Sequence, residues 1–297
     1  MTTGGAAVFD YAEFTSRNFG FVTRDEQRAI HDARVFVCGV GGMGGACLAS
    51  LARVGVGHVA IADGDRIEVS NLNRQVFSSV ATVGRDKVEA TREQLLGIHP
   101  ALEIESHGFD WVDHVDDILS THKLVVNGMD DIRCGVHLYR RAREHGATVI
   151  DAYTAPLPSV TVVGPGDPRP EERLRWPTRG RVWRSLTDDD VKACLEREIA
   201  YVLTNSSSHR HVVLEAAMEV LAGKRKRMSF APMVITTGNL MAFEILRLAM
   251  GRPRGTDARG YFFDPWSARI ERPRNPLSAW AVGLMVRRYL GSLTRAV

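Results

Sequence analysis

Arg34-Val-Phe-Val-Cys-Gly-Val-Gly-Gly-Met-Gly-Gly45 joins an apolar, β-branched run to a turn made largely of glycine. The run has the composition of a buried strand, and the Ala/Leu-rich residues 46–54 after the turn read as helix. A second apolar run, His58-Val-Ala-Ile-Ala62, ends on Asp63-Gly-Asp65. Strand, glycine turn, helix, strand and acidic residue, in that order, make the βαβ unit that holds a nucleotide. The first glycine makes the tight turn, the second lets backbone approach phosphate, and the third lets helix and strand pack closely. N–H groups exposed at the helix start, with its dipole, attract the phosphate. Asp63 stands roughly 20 residues beyond the turn, where a ribose-binding carboxylate is expected.

That unit alone serves hydride transfer on a nicotinamide cofactor as well as chemistry on ATP. The residues after it are more selective. Asp65 leads into Ser70-Asn-Leu-Asn-Arg-Gln75, and Val83-Gly-Arg-Asp-Lys-Val-Glu89 follows. A triphosphate needs fixed donors and cations on its β- and γ-phosphates while the α-phosphorus is attacked, and Asn71, Arg74, Gln75 and Lys87 supply them. In their order and spacing, Asp-x-Asp, Ser-Asn-Leu-x-Arg-Gln and Val-Gly-x-x-Lys-Val-Glu resemble the ubiquitin-activating-enzyme-like superfamily of the bacterial ThiF/MoeB/HesA type. The resemblance covers about 37–151 and 231–248.

It implies that a carboxylate attacks the α-phosphorus of MgATP, giving an acyl adenylate and pyrophosphate. The carboxylate is expected to be the C-terminus of a ubiquitin-like sulfur-carrier protein or of a ribosomal peptide. Gly39, Gly41, Gly42 and Gly44 would cradle phosphate, Asp63 the ribose, and Asp65 the ribose or the loop after it. Asn71, Arg74 and Lys87 would contact the triphosphate, with Gln75 ordering their loop. Asp130, at the end of the apolar run 123–127, would position magnesium, which takes one or two carboxylates plus phosphate oxygens. The competing role for this aspartate is to cap the helix that follows. The family often carries an arginine five residues on, where this chain has Gly135; Arg133 is the nearby substitute.

Family members also send an arginine from upstream of the first strand into the partner subunit's site, where it would neutralise developing phosphate charge. Arg17, in Ser16-Arg-Asn18, is the candidate and Arg24 the alternative. A two-fold homodimer follows from that reading. Many relatives bind a structural zinc through two Cys-x-x-Cys pairs. The four cysteines here, Cys38, Cys47, Cys134 and Cys194, form no such pair, so no structural zinc is expected. Cys194 lies where the family's acyl- or sulfur-accepting cysteine would, with Lys192 and Arg197 near it and three aspartates upstream.

The bulk numbers fit an ordinary globular enzyme. Hydrophobic residues make up 44% and charged ones 25%, and the net charge of +3 is too small to call for nucleic acid or an anionic membrane. The most apolar stretch, 231–250, contains Asn239, Glu244 and Arg247, which argues against a membrane span. The first ten residues lack a basic start and an apolar signal core, so the expected location is cytoplasmic.

Alternating apolar and helix-patterned segments predict a Rossmann-like α/β fold, with a mainly parallel sheet, helices on both faces and an antiparallel C-terminal extension. An N-terminal arm and helix occupy 1–33, and the ATP-binding core 34–153. A Pro/Arg-rich loop and helical insertion occupy 154–230 on the substrate side. A late helix, a strand pair and a closing helix over 277–290 complete the same domain in 231–297. Within the insertion, 159–163 reads as an antiparallel strand and the residues after it as a long mobile loop whose arginines hold an acidic partner tail or the substrate carboxylate. A helix starts at Thr187, and another runs from about 206 to Gly223. Asp63, Asp65, Asp130 and Asp151 all fall at or just beyond strand ends, where such sheets bind ligands.

Three other functions fit parts of this pattern. A dehydratase of a modified tRNA base would keep the family chemistry without a transfer cysteine, and is the one reading that brings in nucleic acid. A nicotinamide-dependent oxidoreductase would use the same βαβ unit. A non-catalytic nucleotide-binding module would keep the pocket and lose the reaction.

Overall fold

The computed structural model describes residues 9–221 and 224–293. A short helix, α1 (Tyr11–Phe14), precedes α2 (Arg24–Asp32), whose start is fixed by a Thr23/Glu26 capping box. Then come β1 (Arg34–Cys38), α3 (Gly42–Val54), β2 (His58–Ala62), α4 (Lys87–Ile98), β3 (Glu103–His107), α5 (Trp111–Thr121), β4 (Leu124–Asn127), α6 (Ile132–Glu144) and β5 (Thr148–Asp151). The second half adds β6 (Ser159–Val163), α7 (Pro170–Arg173), α8 (Asp188–Asn205), α9 (Leu214–Leu221), α10 (Ala231–Ala249), β7 (Tyr261–Asp264), β8 (Arg269–Glu271) and α11 (Pro276–Leu293).

The strands form one eight-stranded sheet in the order β3-β2-β1-β4-β5-β6-β7-β8. β3 through β5 in that order are parallel, and β6, β7 and β8 join antiparallel. This is the mainly parallel sheet with an antiparallel extension that the sequence predicts. β1 is central and alternates between two cores. Val35 and Val37 face Leu48 and Leu51 of α3 and Met241 and Ile245 of α10. Phe36 and Cys38 face Trp111 and Leu119 of α5 and Leu138 of α6. Burial on both faces explains why β1 reads as a continuous apolar run rather than an alternating one.

α3 and α10 meet closely because small residues line the seam. A Cβ on Gly238 would lie 2.5 Å from the Met43 carbonyl oxygen and 2.6 Å from Ala46 Cβ. Ser50 Oγ and Asn239 Oδ1 hydrogen bond across the seam at 2.6 Å.

Three local expectations need correction. α3 begins at Gly42, inside the glycine run, so the glycines are its first turn rather than its preface. The segment expected to be a mobile loop instead folds back onto α6, and three of its arginines are ion-paired within the chain: Arg169 with Glu171 and Glu172, Arg181 with Asp190, and Arg184 with Asp113. Arg140 pairs with the buried Glu171 at 2.7 Å, Arg143 with Glu172 at 2.9 Å, and Leu174 and Trp176 are buried. A hydrophobic anchor and internal carboxylates hold these side chains, and a composition-based reading does not reveal such pairing. The helix expected over 206–223 divides into a 3-10 turn, Ser208–His211, and α9; Gly223 lies outside the described residues.

Candidate nucleotide site

The carboxyl ends of β1, β2, β4 and β5 lie along one edge of the parallel sheet, the side on which such sheets bind ligands. After β1 the chain turns through Gly39 at φ +88°, a conformation that favours glycine. A Cβ there would lie 2.6 Å from the carbonyl carbon of Gly128, just past β4. A Cβ on Gly44 would fall 1.9 Å from the Gly39 carbonyl oxygen, and one on Gly128 would fall 2.3 Å from the same atom. Three glycines thus interlock the β1–α3 turn with the loop leading to Asp130. Gly41 caps α3 with no side-chain hydrogen bond, leaving the N–H groups of a 13-residue helix to meet an anion.

Asp63 serves first as scaffold. Its Oδ2 accepts the Val40 N–H at 3.0 Å and its Oδ1 accepts the Asp65 N–H at 3.0 Å, tying β2 to the glycine turn. Burial pushes its carboxyl above the usual range, opposed by the nearby Lys87 ammonium. Lys87 is itself only 8% exposed, and its Nζ donates to Asp65 Oδ2 at 2.7 Å and lies 3.8 Å from Asp63 Oδ1.

The loop after β2 brings the polar motif to the same place. Asn71 is buried and its Oδ1 accepts the Glu68 N–H at 3.0 Å, closing a one-turn helix. Arg74 donates from Nη1 to the Ser70 carbonyl at 2.8 Å and to Asn73 Oδ1 at 2.9 Å, with its aliphatic stem beside Gly42. Gln75 is buried, with its Nε2 against Gly41.

Past β4, two adjacent aspartates divide the work. Asp131 caps α6 by accepting the Cys134 N–H at 2.8 Å, while Asp130 is exposed and makes no side-chain hydrogen bond among the described residues. Arg133 is engaged elsewhere, donating to the Leu186 carbonyl at 2.9 Å and pairing with Asp188 at 2.6 Å. Asp151 braces the loop from the next strand: it accepts from Asn127 Nδ2 at 2.9 Å, Tyr139 Oη at 2.7 Å and the Ala152 N–H at 2.7 Å. Asn127 Oδ1 in turn accepts the Met129 N–H at 3.3 Å. Burial raises the Asp151 carboxyl to about 6 despite these donors. Asn127 and Tyr139 are the members that sequence reading missed; the signal available was a polar residue closing an otherwise apolar strand.

Two candidates stand apart from the cluster. Arg17 is exposed in the turn Ser16–Asn18, beside Asn18, whose side chain donates to the Val54 carbonyl. Val54 ends α3, so Arg17 sits at the far end of that helix from the glycine turn, about 20 Å away at 1.5 Å per residue. Arg24 lies over the Phe19 ring at 5.3 Å in the same region. Cys194 is fully buried against Ile132, Val136, Leu174 and Trp176, and burial pushes its thiol up to about 12. A nucleophilic thiol needs the opposite shift and an open approach.

This chain belongs to the ThiF family, whose model matches residues 15–279. It is 39% identical over 117 residues to the molybdopterin-synthase adenylyltransferase of Salmonella typhimurium, covering 39% of this chain and 46% of that protein. To the probable adenylyltransferase/sulfurtransferase MoeZ of Mycobacterium tuberculosis it is 36% identical over 108 residues, 36% of this chain and 28% of that one. The chain thus spans less than half the length of either relative. Escherichia coli MccB has the same fold, with a TM-score of 0.62 at 18% identity over 89% of this chain and 70% of that one; its crystal structures include complexes with ATP and with MccA.

Proposed function

We propose that this protein is an ATP-dependent adenylyltransferase that converts a polypeptide's terminal carboxylate to an acyl adenylate and releases pyrophosphate. What supports this reading is the N-terminus of α3 with no side-chain cap, Arg74 beside Gly42, Lys87 within reach of Asp63 and Asp65, and an Asp130 with no side-chain hydrogen bond among the described residues. A dinucleotide oxidoreductase has no use for that set of cations and carboxylate. Family membership and an ATP complex of a protein with this fold support it further.

In this reading Gly39, Gly41, Gly42 and Gly44 with the start of α3 hold phosphate, and Asp63 and Asp65 take the ribose. Asn71 and Arg74 meet the triphosphate, with Gln75 keeping their loop in place. Lys87 exchanges its contact with Asp65 for phosphate oxygens. Among the described residues no three ligating side chains form a metal cluster. Asp130, exposed and with no side-chain hydrogen bond among the described residues, suits magnesium, which takes one or two carboxylates plus phosphate oxygens and would offset charge on the leaving pyrophosphate. The protein contributes position and electrostatic stabilisation rather than a nucleophile of its own. Cys194 takes no part. Arg17 reaches a site only in a partner subunit, so the active form is a two-fold homodimer, and the enzyme works in the cytoplasm.

The activated polypeptide is a ubiquitin-like carrier or a precursor peptide. ATP–pyrophosphate exchange, screened with carriers ending in Gly-Gly and with short precursor peptides, tests the proposal. Exchange stimulated by one of them supports it. Binding of NADH in place of ATP refutes it.

A further inference from the structure

Behind the Asn127–Asp151 contact lies a cavity of about 30 Å³ that the nucleotide reading leaves unused, lined in part by Asp151, Tyr153, Arg173, Trp176 and Glu198. Its polar atoms do not balance. Arg173 Nε and Nη1 and Trp176 Nε1 are buried donors with no hydrogen-bond partner among the described residues, and Trp176 is only 8% exposed. Asp151 is already occupied by three donors, and Glu198 accepts the Thr154 N–H at 2.7 Å. Leaving buried donors unmet is costly, so an oxygen acceptor is expected to fill the space.

The donors are held rather than adrift. The Arg173 guanidinium rests against a pair of adjacent rings, 5.4 Å from the Tyr153 centroid and 5.0 Å from that of Tyr201, the two centroids being 5.1 Å apart. Both tyrosine hydroxyls donate to the Arg259 carbonyl, at 2.8 and 3.1 Å. A cation seated against both rings loses little freedom when it binds a ligand.

Charge selects the acceptor. The guanidiniums of Arg227 and Arg173 already offset the Glu198 carboxyl, with Asp151 beside it, so an anionic ligand would bring excess negative charge, whereas a neutral carbonyl oxygen meets the donors without adding charge. Location suggests its source. β5 neighbours β4, and Asp151 bonds directly to Asn127, the residue that opens the Asp130 loop. The cavity and the Asp130 loop therefore share the Asn127–Asp151 hydrogen bond, next to where a carboxylate would be activated.

We propose that the Arg173/Trp176 cavity is a subsite for an uncharged carbonyl group of the incoming polypeptide, holding the tail whose terminal carboxylate is adenylated. This rests on the adenylation reading above.

The test uses the full-length protein labelled with nitrogen-15 tryptophan, in the presence of the ATP analogue AMPCPP and magnesium. The Trp176 indole resonance, assigned with Trp176→Phe, is followed while N-methylacetamide or, separately, sodium acetate is added at neutral pH. N-methylacetamide should move the resonance saturably, acetate less, and the response should vanish in Arg173→Gln while Arg173→Lys keeps part of it. An indole that does not respond, as for a cavity holding only water, overturns the proposal. So does one that prefers acetate. AMPCPP binding is measured in parallel: its failure brings down the adenylation reading, whereas normal AMPCPP binding with a silent indole brings down this subsite alone.

Discussion

Replacing Gly44 or Gly41 with alanine should separate the two jobs of the glycine turn. A Cβ on Gly44 would sit 1.9 Å from the Gly39 carbonyl oxygen, whereas ordinary contact starts at 3.4 Å. The obstacle is backbone, so no rotamer change relieves it; β1, α3 or the Gly128 loop has to shift by more than an ångström. Overpacking of this kind costs about 1–3 kcal/mol and occasionally more. For a chain of this size each kcal/mol lowers Tm by roughly 2–4 °C, so Gly44→Ala should melt on the order of 5 °C lower. A Cβ on Gly41 would meet the end of the Gln75 side chain, with Nε2 at an ordinary 3.4 Å. Gly41→Ala should therefore lose less stability than Gly44→Ala, about 1 kcal/mol for placing alanine at an N-cap. Its methyl group would instead stand where backbone meets phosphate, weakening AMPCPP by about tenfold or more, a loss of about 1.4 kcal/mol. Thermal denaturation and calorimetric AMPCPP titration read the two effects separately. Unchanged Tm in Gly44→Ala together with unchanged AMPCPP affinity in Gly41→Ala would refute this division of labour.

Asp130→Ala and Arg74→Ala should each abolish ATP–pyrophosphate exchange while keeping Tm within a degree or two, since neither side chain packs a core; residual exchange in both would remove their assigned roles. If Arg17 acts across a dimer, Arg17→Ala and Asp130→Ala should be inactive alone and regain exchange when mixed and refolded together, because each mixed dimer contains one complete site; no recovery would leave Arg17 a surface residue. Asp151, raised from 3.8 to about 6, holds its proton more tightly folded than unfolded. Its stabilising contribution is thus complete below about pH 4 and is lost as pH rises through about 6. Carboxyl carbon NMR should find its midpoint near 6, and a midpoint at or below 4 would contradict the burial argument. Cys194 should resist iodoacetamide in the folded protein, and Cys194→Ala should keep exchange; rapid alkylation or a substrate thioester on Cys194 would reverse that assignment.

The βαβ unit and the polar loop after it are legible in the sequence because they form one contiguous stretch. The run from Arg34 to Lys87 carries its own turn chemistry, and the structure brings Asp63, Asp65 and Lys87 within ion-pair reach. The sequence leaves open whether Asp130 holds magnesium or caps the next helix; the coordinates give the cap to Asp131. Gly128 looked like an ordinary strand-end glycine, yet it interlocks with Gly39 and Gly44 from about 85 residues away, a contact no local pattern contains. The arginine-rich segment misled for a related reason. Proline and arginine composition suggests solvent, but Glu171 and Glu172 reach back to Arg140 and Arg143 and draw the segment onto α6. Long-range ion pairs of that kind leave no periodic trace. Cys194 was placed correctly on a helix, but which face it occupies depends on Trp176 and Leu174 packing over it.

Calorimetric titration of the wild-type protein with AMPCPP and magnesium, with NADH as the parallel ligand, addresses the candidate nucleotide site most directly. Binding of AMPCPP that Arg74→Ala weakens severely, with no heat from NADH, is the expected result. Binding of NADH with none of AMPCPP would contradict the account at its root.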